Sequence, residues 1–389
     1  MDVKERFDHR IKICHDAIYM NGAPERVPHL SSFMTWKIVD AGYKFSEAMY
    51  DWDLMEKITM DFERRYQFDC IREHGNRNPI KIVEGFGKSK YIIDDEHSFI
   101  SAVDFVLMEP GEYDEYLSDK RKYIYTKLLQ RRFGKELAAA TPEVMYKVIH
   151  ELKAFQDYNG RIYRRMAEEL GVPNMYGPAV GGCALESVMN TWRGFKGMAM
   201  DLRRCPEKLD EVCRNQLETM TLPMYEMIRK GPDGPTPGVS FDTTGGSLSH
   251  TMVNRKQYER YFWPSIKPAL DLLVEKKKTS YWFTQGDYRP FLDFFQDLPK
   301  GHLCIHVELG DIFEMRKQYP NIAFAGGIPM TMLGGGTPEE CVDMTKRLIA
   351  EVGGDGGLIL SQDKMCSYPK DCTRENLLAI SEFVQHGEY

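Results

Sequence analysis

The sequence predicts an α/β protein with the architecture of a single (β/α)8 TIM-type barrel, and three observations lead to this class. Helical and strand-like segments alternate through the second half of the 389 residues, eight segments have the character of strands, and 42% of the residues are apolar. That apolar content is enough for a large core, and barrels of this kind commonly reach ~250 to over 400 residues as one unit. We therefore expect one domain over 1–389, in which 1–60 forms an N-terminal helical extension and the first strand.

The clearest strand–helix–strand unit lies near the C-terminal end of the sequence. The apolar segment Asn321–Ile328 ends in glycine, Thr337 and Glu340 form a capping box for the next helix, and Gly353 ends that helix. A second apolar segment, 357–361, follows. Two strands joined by a crossover helix form a parallel pair, so this unit predicts a parallel sheet.

The same alternation places the remaining elements. The eight predicted strands lie at 26–30, 66–73, 172–178, 238–243, 279–285, 302–308, 321–327 and 357–361. The other predicted helices lie at 112–132, 142–170, 207–229, 254–277, 290–297, 311–318 and 374–386. Two further strand-like runs, Ile80–Glu84 and Lys90–Ile93, predict a hairpin near the barrel mouth. No Gly-x-Gly-x-x-Gly motif follows an early strand, which disfavours a dinucleotide-binding sheet.

Composition disfavours several classes of partner. The formal net charge is −7, acidic and basic residues are interspersed, and the basic run Lys276–Lys278 is short, so we expect no nucleic-acid partner. The N-terminus has no hydrophobic signal segment, and no apolar run approaches the ~18 residues of a membrane span. The nine cysteines are scattered without a Cys-x-x-Cys pair. We read them as free thiols of a cytoplasmic protein without a membrane partner.

The segment from Gly301 to Leu309 carries the strongest candidate residues. Side chains alternate faces along a strand, so one face carries His302, Cys304, His306 and Glu308. The outer face of a barrel packs against helices, so we expect this polar set to point inward, with His306 and Glu308 nearest the carboxyl end where barrel active sites form. A charged Glu308 inside a barrel is costly unless it is paired or binds a metal. For His302 and Cys304, an interior layer without a catalytic role is an equal alternative.

Other predicted strands end in polar or aromatic residues that we expect on the same rim. Asp287 and Asp363 join His306 and Glu308 as candidate catalytic groups. The candidate substrate-binding residues are His74, Asn76, Tyr176, Asp242, Phe283 and Gln285. Polar residues after a strand are usually solvated loop starts. Their convergence at one end of the barrel is what favours a site.

A zinc ion is a further expectation at this rim. His306 with Glu308, and in addition Asp363 or Cys366, could hold zinc with one coordination position left open. No local ligand motif such as His-Glu-x-x-His occurs. A site without metal is the alternative.

Several motifs resemble those of a known superfamily. The C-terminal third contains Ala325-Gly-Gly-Ile-Pro, Gly336-Thr-Pro-Glu-Glu, Gly356-Gly-Leu-Ile-Leu-Ser and Arg374-Glu-Asn-Leu. Further upstream lie Met108-Glu-Pro-Gly-Glu-Tyr-Asp-Glu, Arg193-Gly-Phe, Asp201-Leu-Arg-Arg-Cys-Pro-Glu-Lys and Tyr261-Phe-Trp-Pro. From about residue 60 onward, their order and spacing resemble the uroporphyrinogen decarboxylase superfamily and its methyltransferase-like branch. The resemblance implies a (β/α)8 barrel.

The departures from this superfamily narrow the implied chemistry. True decarboxylases carry an Arg-Gln-Ala-Gly-Arg segment that binds substrate carboxylates, and this chain has Phe33-Met-Thr-Trp-Lys-Ile-Val there. Asn76 stands where their catalytic aspartate is expected. The zinc-dependent, thiol-methylating branch uses His-x-Cys at the end of strand five, where this chain has Phe283-Thr-Gln285. Porphyrinogen decarboxylation and zinc-dependent thiol methylation are therefore both disfavoured.

What remains resembles the corrinoid-linked branch of the superfamily. That resemblance implies methyl transfer from a small methylated or methoxylated substrate to the cobalt of a partner corrinoid protein. The leaving oxygen or nitrogen must then be protonated or bound to a Lewis acid, a role implied for His306, Glu308, Asp287 and Asp363. Two rivals share the fold: a decarboxylase or lyase of a smaller carboxylic acid, and a non-catalytic binding barrel. The oligomeric state stays open, with a homodimer as one possibility.

Overall fold

Eleven strands define the sheets of the computed structural model, which describes residues 1–72, 80–86, 91–103, 106–134, 139 and 141–387. These strands are β1 (Leu30–Ser31), β2 (Cys70–Ile71), β3 (Tyr91–Asp94), β4 (Phe99–Ala102), β5 (Asn174–Tyr176), β6 (Val239–Phe241), β7 (Thr243–Ser247), β8 (Ser280–Asp287), β9 (Leu303–Leu309), β10 (Ala323–Ile328) and β11 (Leu358–Gln362). Each of the eight predicted strands overlaps one of them. A ninth segment, β7, continues the predicted strand 238–243 after a break at Asp242.

Helices connect and surround these strands. The α-helices are Val3–Tyr19, Trp36–Asp40, Phe45–Tyr50, Trp52–Tyr66, Ile80–Glu84, Tyr113–Ser118, Lys120–Tyr123, Leu129–Phe133, Pro142–Arg165, Leu185–Ser187, Gly194–Arg204, Pro206–Gln216, Leu222–Lys230, Arg255–Tyr261, Trp263–Lys276, Ile312–Gln318, Met330–Gly335, Pro338–Glu351 and Arg374–His386. Wider π turns occupy Ile124–Leu128, Met166–Leu170, Val188–Arg193 and Leu217–Thr221, and 3-10 turns occupy Pro110–Glu112, Ser249–Met252 and Arg289–Phe295. Among the described residues, no helix is both long and apolar enough to cross a membrane.

The strands form two parallel sheets. One has the order β1-β2-β5-β6 and the other β11-β10-β9-β8-β7. Isolated parallel bridges link the sheets at both edges: His29 with Leu360 and Phe33 with Cys366 beside β1 and β11, and Ala179, after β5, with Thr244 of β7. This α/β arrangement is consistent with a TIM barrel. A continuous ladder of hydrogen bonds around a closed barrel is not observed among the described residues.

The predicted hairpin is present but formed by other residues. β3 and β4 pair antiparallel. Ile80–Glu84, predicted as a strand, is a helix, so that prediction is wrong. Ile80 is buried in a cluster that includes Tyr158 of the helix Pro142–Arg165, and this packing overrides the strand preference of its branched side chains. Lys90 lies outside the described residues.

The predicted strand–helix–strand unit is confirmed between β10 and β11. The helix Pro338–Glu351 begins at Thr337, whose hydroxyl accepts from the Glu340 backbone N–H at 3.3 Å while the Glu340 carboxylate accepts from Thr337 at 2.9 Å. An N-cap of this kind contributes about 1 kcal/mol. The predicted helix 142–170 is also confirmed: it is α-helical from Pro142 to Arg165 and continues as the π turn Met166–Leu170.

Side chains of the parallel strands divide between an inner and an outer cluster. The inner cluster contains Phe241, Tyr281, Cys304 and Ile359. The outer cluster contains Leu303, Ile305 and Val307 together with helical residues. The inward face predicted for the polar set of β9 is therefore confirmed.

The N-terminal helix Val3–Tyr19 closes the amino ends of the strands. Its Cys14, Ala17 and Ile18 belong to the inner cluster. The Ala17 carbonyl accepts from the backbone N–H of Gly357, one residue before β11, at 2.6 Å. A side chain at Gly301, just before β9, would meet the ring of Tyr19 at 3.0 Å. The carboxyl ends lie opposite this helix.

Candidate active site

A cavity of about 900 Å³ lies at the carboxyl ends of the strands. Its walls come from the ends of β5, β7, β8 and β9 and from the segments that follow β1, β2, β10 and β11. The lining residues are Met34, Arg72, Tyr91, Tyr176, Ala179, Val180, Gly182, Glu186, Asn190, Thr244, Gly245, Gly246, Ser247, Leu248, Phe283, Gln285, Glu308, Met330, Lys364, Met365, Ser367, Tyr368 and Asp371. The size suits a small organic molecule.

Glu308, next to last in β9, is the predicted catalytic residue that lines this cavity. Its Oε2 accepts a hydrogen bond from the backbone N–H of Gly286. Gly286 has φ +74 and lies where the pairing of β8 with β9 changes register, so the local backbone turns its N–H toward the carboxylate. Oε1 has no hydrogen-bond partner among the described residues and is available to a ligand.

Three predicted substrate-binding residues also line the cavity: Tyr176, Phe283 and Gln285. The ring of Phe283 stacks against Arg72, with the guanidinium carbon 3.8 Å from the ring centroid. The Tyr176 hydroxyl donates to the Arg72 carbonyl at 3.5 Å. Gln285 is exposed at the rim.

His306 is fully buried and lies beneath the cavity rather than in its wall. Its Nδ1 is 2.7 Å from the Tyr281 hydroxyl, and its Nε2 is 2.9 Å from the carbonyl oxygen of Gln362. Burial, with a smaller contribution from the nearby Arg72 charge, lowers the pKa of His306 to about 3. The ring is therefore neutral, and both nitrogens are engaged. The structure does not bring His306 to the substrate as predicted, because its hydrogen bonds hold it in the interior.

The two predicted aspartates lie beside the cavity. The Asp363 carboxylate accepts from the Met330 backbone N–H at 3.1 Å, and burial raises the pKa of Asp363. Its neighbours Met330 and Lys364 line the cavity, and Asp363 itself does not. Asp287 forms an ion pair with Arg289 at 2.7 Å, and that hydrogen-bonded guanidinium lowers the pKa of Asp287. Neither aspartate is among the residues that line the cavity.

Asp242 is not a substrate-binding residue in this structure. Its Oδ2 accepts from the backbone N–H and hydroxyl of Thr279 at 2.7 and 2.9 Å. Thr279 precedes β8, six residues before Gln285, and at ~3.3 Å per residue the two lie roughly 20 Å apart along the strand. Asp242 therefore ties the amino ends of two strands together. His74 and Asn76 lie outside the described residues.

The described residues do not fit the expected zinc site. Both nitrogens of His306 are occupied, one oxygen of Glu308 accepts from Gly286, and Cys366 is fully buried. Within the described ranges, no group of three or more His, Cys, Asp or Glu side chains could hold a metal ion.

Four charged residues of the cavity were not predicted from the sequence: Arg72, Glu186, Lys364 and Asp371. Oε1 of Glu186 accepts from the backbone N–H groups of Leu248 and Ser249 at 2.8 Å and from the Ser247 and Ser249 hydroxyls at 2.6 and 2.7 Å. Arg72 lies inside the predicted strand 66–73, and a cation near the end of an apolar strand is the signal that could have identified it. Glu186 lies on a helix after β5, and a single sequence gives no signal for it.

The fold and site define a parallel α/β protein with a ligand cavity at the carboxyl ends of its strands. Comparison with known families then identifies it: the uroporphyrinogen decarboxylase (URO-D) model matches residues 146–386, and the chain belongs to this family. The family predicted from the sequence motifs is confirmed. Among solved structures, a methyltransferase from Methanosarcina mazei is similar in fold, with a TM-score of 0.58, 12% identity and 98% of each chain covered. Comparison with curated proteins finds no match.

Proposed function

We propose that this chain is a methyltransferase that removes a methyl group from a small methylated or methoxylated molecule and passes it to the cobalt of a partner corrinoid protein. The fold likeness to a methyltransferase over 98% of both chains supports the reaction class. We further propose a closed eight-stranded barrel, since isolated bridges already join the two sheets at both edges. All nine cysteines are free thiols, which agrees with a reducing cytoplasm.

The observation that carries the proposal is Glu308 in the cavity wall. Breaking an O–CH3 bond leaves the bonding electron pair on oxygen, which must gain a proton. The Gly286 N–H holds one oxygen of Glu308, and the other faces no protein donor among the described residues. Glu308 can therefore hold a proton at Oε1 and deliver it to the leaving oxygen. The corrinoid, bound to its partner, would supply the nucleophile that takes the methyl group, and no residue described here is assigned to hold it.

The test is methyl transfer to free cob(I)alamin. The purified protein is incubated anaerobically with cob(I)alamin and a panel of methoxylated and methylated compounds, and methylcobalamin is followed by its absorbance. Formation that depends on the protein and is lost in Glu308→Gln supports the proposal. If no compound of a broad panel yields methylcobalamin, even with corrinoid proteins encoded near this gene, the proposal fails.

The cations of the cavity favour a second candidate, a decarboxylase or lyase of a small carboxylic acid. Arg72 and Lys364 both line the cavity and could hold a carboxylate. Release of carbon dioxide from an acid substrate without cobalt methylation would identify this activity. Ligand binding without turnover in either assay would instead indicate a binding protein.

A further inference from the structure

We infer that the cavity recognises its substrate through an anionic group, which Arg72 binds, with Lys364 as a second cation. The inference deepens the proposed function and rests on it only for the reaction that follows binding. The cavity therefore contains cations even though the sequence lacks the arginine segment of the decarboxylases. They come from β2 and from the segment after β11, not from the segment after β1.

The geometry of Arg72 suits the binding of a carboxylate or phosphate. Its guanidinium stacks on Phe283, with its central carbon 3.8 Å from the ring centroid. Stacking fixes the guanidinium plane, and a fixed plane presents parallel N–H groups for a two-point hydrogen bond to an oxyanion. Arg72 is only partly exposed in the cavity wall. An ion pair formed there is less screened than one on the open surface.

Lys364 adds a second positive charge to the cavity. It is exposed, lines the cavity and forms no ion pair with any described residue. Its strand, β11, is bridged to the residue before β1, and β1 pairs with β2. Arg72 and Lys364 therefore follow strands separated by one other strand, and strand axes two positions apart lie ~10 Å from each other. Both side chains line the same cavity, so Lys364 can add to the attraction of an anion held at the Arg72 guanidinium.

The carboxylates Glu186 and Glu308 lie on the other side of the cavity. Glu186 is held by the turn that follows β7, and Glu308 belongs to β9, so these two flank β8. A third carboxylate, Asp371, accepts from the backbone N–H groups of Ser367 and Tyr368 at 2.8 and 2.7 Å and holds its own loop. Lys364 therefore lies on the β11 side of the cavity and Glu186 and Glu308 on the β8 side, while the Arg72 guanidinium reaches from β2 onto Phe283 between them.

This division gives the substrate class and its orientation. The anionic group lies against Arg72 and Lys364. The remainder of the substrate packs against Phe283, Tyr176 and the methionines Met34 and Met330. These side chains suit an aromatic or aliphatic skeleton. The methyl-bearing atom then points toward Glu308. A methylated or methoxylated small acid has this pattern of groups.

The test measures binding by calorimetry in the absence of any corrinoid. The probes are matched pairs: 4-methoxybenzoate with 4-methoxybenzyl alcohol, and methoxyacetate with 2-methoxyethanol, with inorganic phosphate as a separate arm. Of the two acids, we expect the one with the higher affinity to bind roughly ten-fold or more tighter than its neutral counterpart. Arg72→Gln should remove that advantage and leave the neutral compound unchanged. Tighter binding of phosphate than of either acid would assign the anionic group to a phosphate.

Two further variants make the result decisive. Lys364→Gln, at an exposed position, should weaken acid binding less than Arg72→Gln and reduce its salt dependence. Lys370→Gln removes an exposed charge from the same loop without touching the cavity and should change nothing. If Arg72→Gln does not fold by circular dichroism, Arg72→Lys replaces it, because it keeps the charge and loses the two-point geometry.

Equal binding of acids and neutral partners would overturn the inference, as would unaltered acid binding in a folded Arg72 variant. Absence of binding by every anionic probe up to about 10 mM would overturn it too. If methyl transfer fails but acids still bind in an Arg72-dependent way, the proposed function is wrong and the anion site is retained. Methyl transfer from neutral compounds alone would support the proposed function and contradict the anion site.

Discussion

The hydroxyl of Tyr281 donates a hydrogen bond to Nδ1 of His306, 2.7 Å away, in the interior beneath the cavity. The other ring nitrogen, Nε2, faces the Gln362 carbonyl at 2.9 Å. A carbonyl oxygen only accepts, so Nε2 carries the proton and Nδ1 accepts from the tyrosine. This chain of bonds connects β8, β9 and β11 and positions the segment that carries Asp363 and Lys364.

Tyr281→Phe should therefore destabilise the protein. It leaves Nδ1 of His306 buried without a donor, a loss of about 1–3 kcal/mol in the free energy of unfolding. Denaturant unfolding measures the change. Tyr116→Phe is the control, because the Tyr116 hydroxyl has no hydrogen-bond partner among the described residues, and its effect should be small. Equal effects of the two substitutions would contradict the assignment.

Glu308→Gln should lower turnover by ~10²-fold or more if Glu308 delivers a proton to the leaving group. The amide oxygen of glutamine can still accept from the Gly286 N–H, so the fold and substrate affinity should persist. Steady-state kinetics combined with calorimetric binding separates the two effects. An unaltered rate would remove Glu308 from the mechanism.

His250 should make stability dependent on pH. Its side chain is fully buried, packs edge-on against Tyr288 at 4.8 Å, and neither ring nitrogen has a hydrogen-bond partner among the described residues. Burial lowers the pKa of His250 to about 4. Between an unfolded value near 6.5 and this folded value, only the unfolded chain binds the proton, so its contribution to stability is lost as the pH falls.

His250→Phe should reduce that pH dependence by up to about 1.4 kcal/mol per pH unit, measured as unfolding free energy from pH 7 to pH 5. Burial also lowers the pKa of His29 to about 4 and that of His306 to about 3. Both residues therefore also lower the stability as the pH falls. Glu63, whose pKa burial raises to about 7, opposes it. His250→Gln should remove the same slope but cost stability at pH 7 through lost packing. A slope unaltered by both substitutions would refute the prediction.

Gly246→Ala should disrupt the cavity wall. Gly246 has φ +152, and a Cβ there would lie 2.3 Å from the carbonyl oxygen of Phe283. We expect a loss of about 1–3 kcal/mol and weaker ligand binding, because β7 and β8 must move apart. Gly182→Ala is the matched control, since Gly182 also lines the cavity but a Cβ there has nothing within 4 Å. Similar melting temperatures for the two variants would contradict this account.

The fold and part of the site were predictable because they depend on local patterns. Alternation along β9 correctly separated Glu308 and His306 from Leu303 and Val307, and the capping box at Thr337 located a helix to within a residue. Alternation gives the face of a side chain but not its depth. His306 was therefore placed at the rim although it lies deeper, bonded to Tyr281.

The remaining errors concern contacts between distant segments. Asp242 was assigned to the carboxyl end of a strand, but that strand breaks at this residue and its carboxylate binds Thr279 at the amino end. Arg72 and Phe283 are 211 positions apart in sequence and stack across the cavity. Neither contact follows from local pattern or propensity, because each depends on strand order and register.

The helix Val3–Tyr19 covers the amino ends of the strands and therefore blocks access to the cavity from that end. A small molecule at the floor of the cavity entered from the carboxyl side and must leave that way. In the proposed reaction, a partner protein that accepts the methyl group would approach from the same carboxyl side. The demethylated product would thus be trapped while the partner is docked, so we expect the product to depart last and to inhibit competitively with the methyl donor.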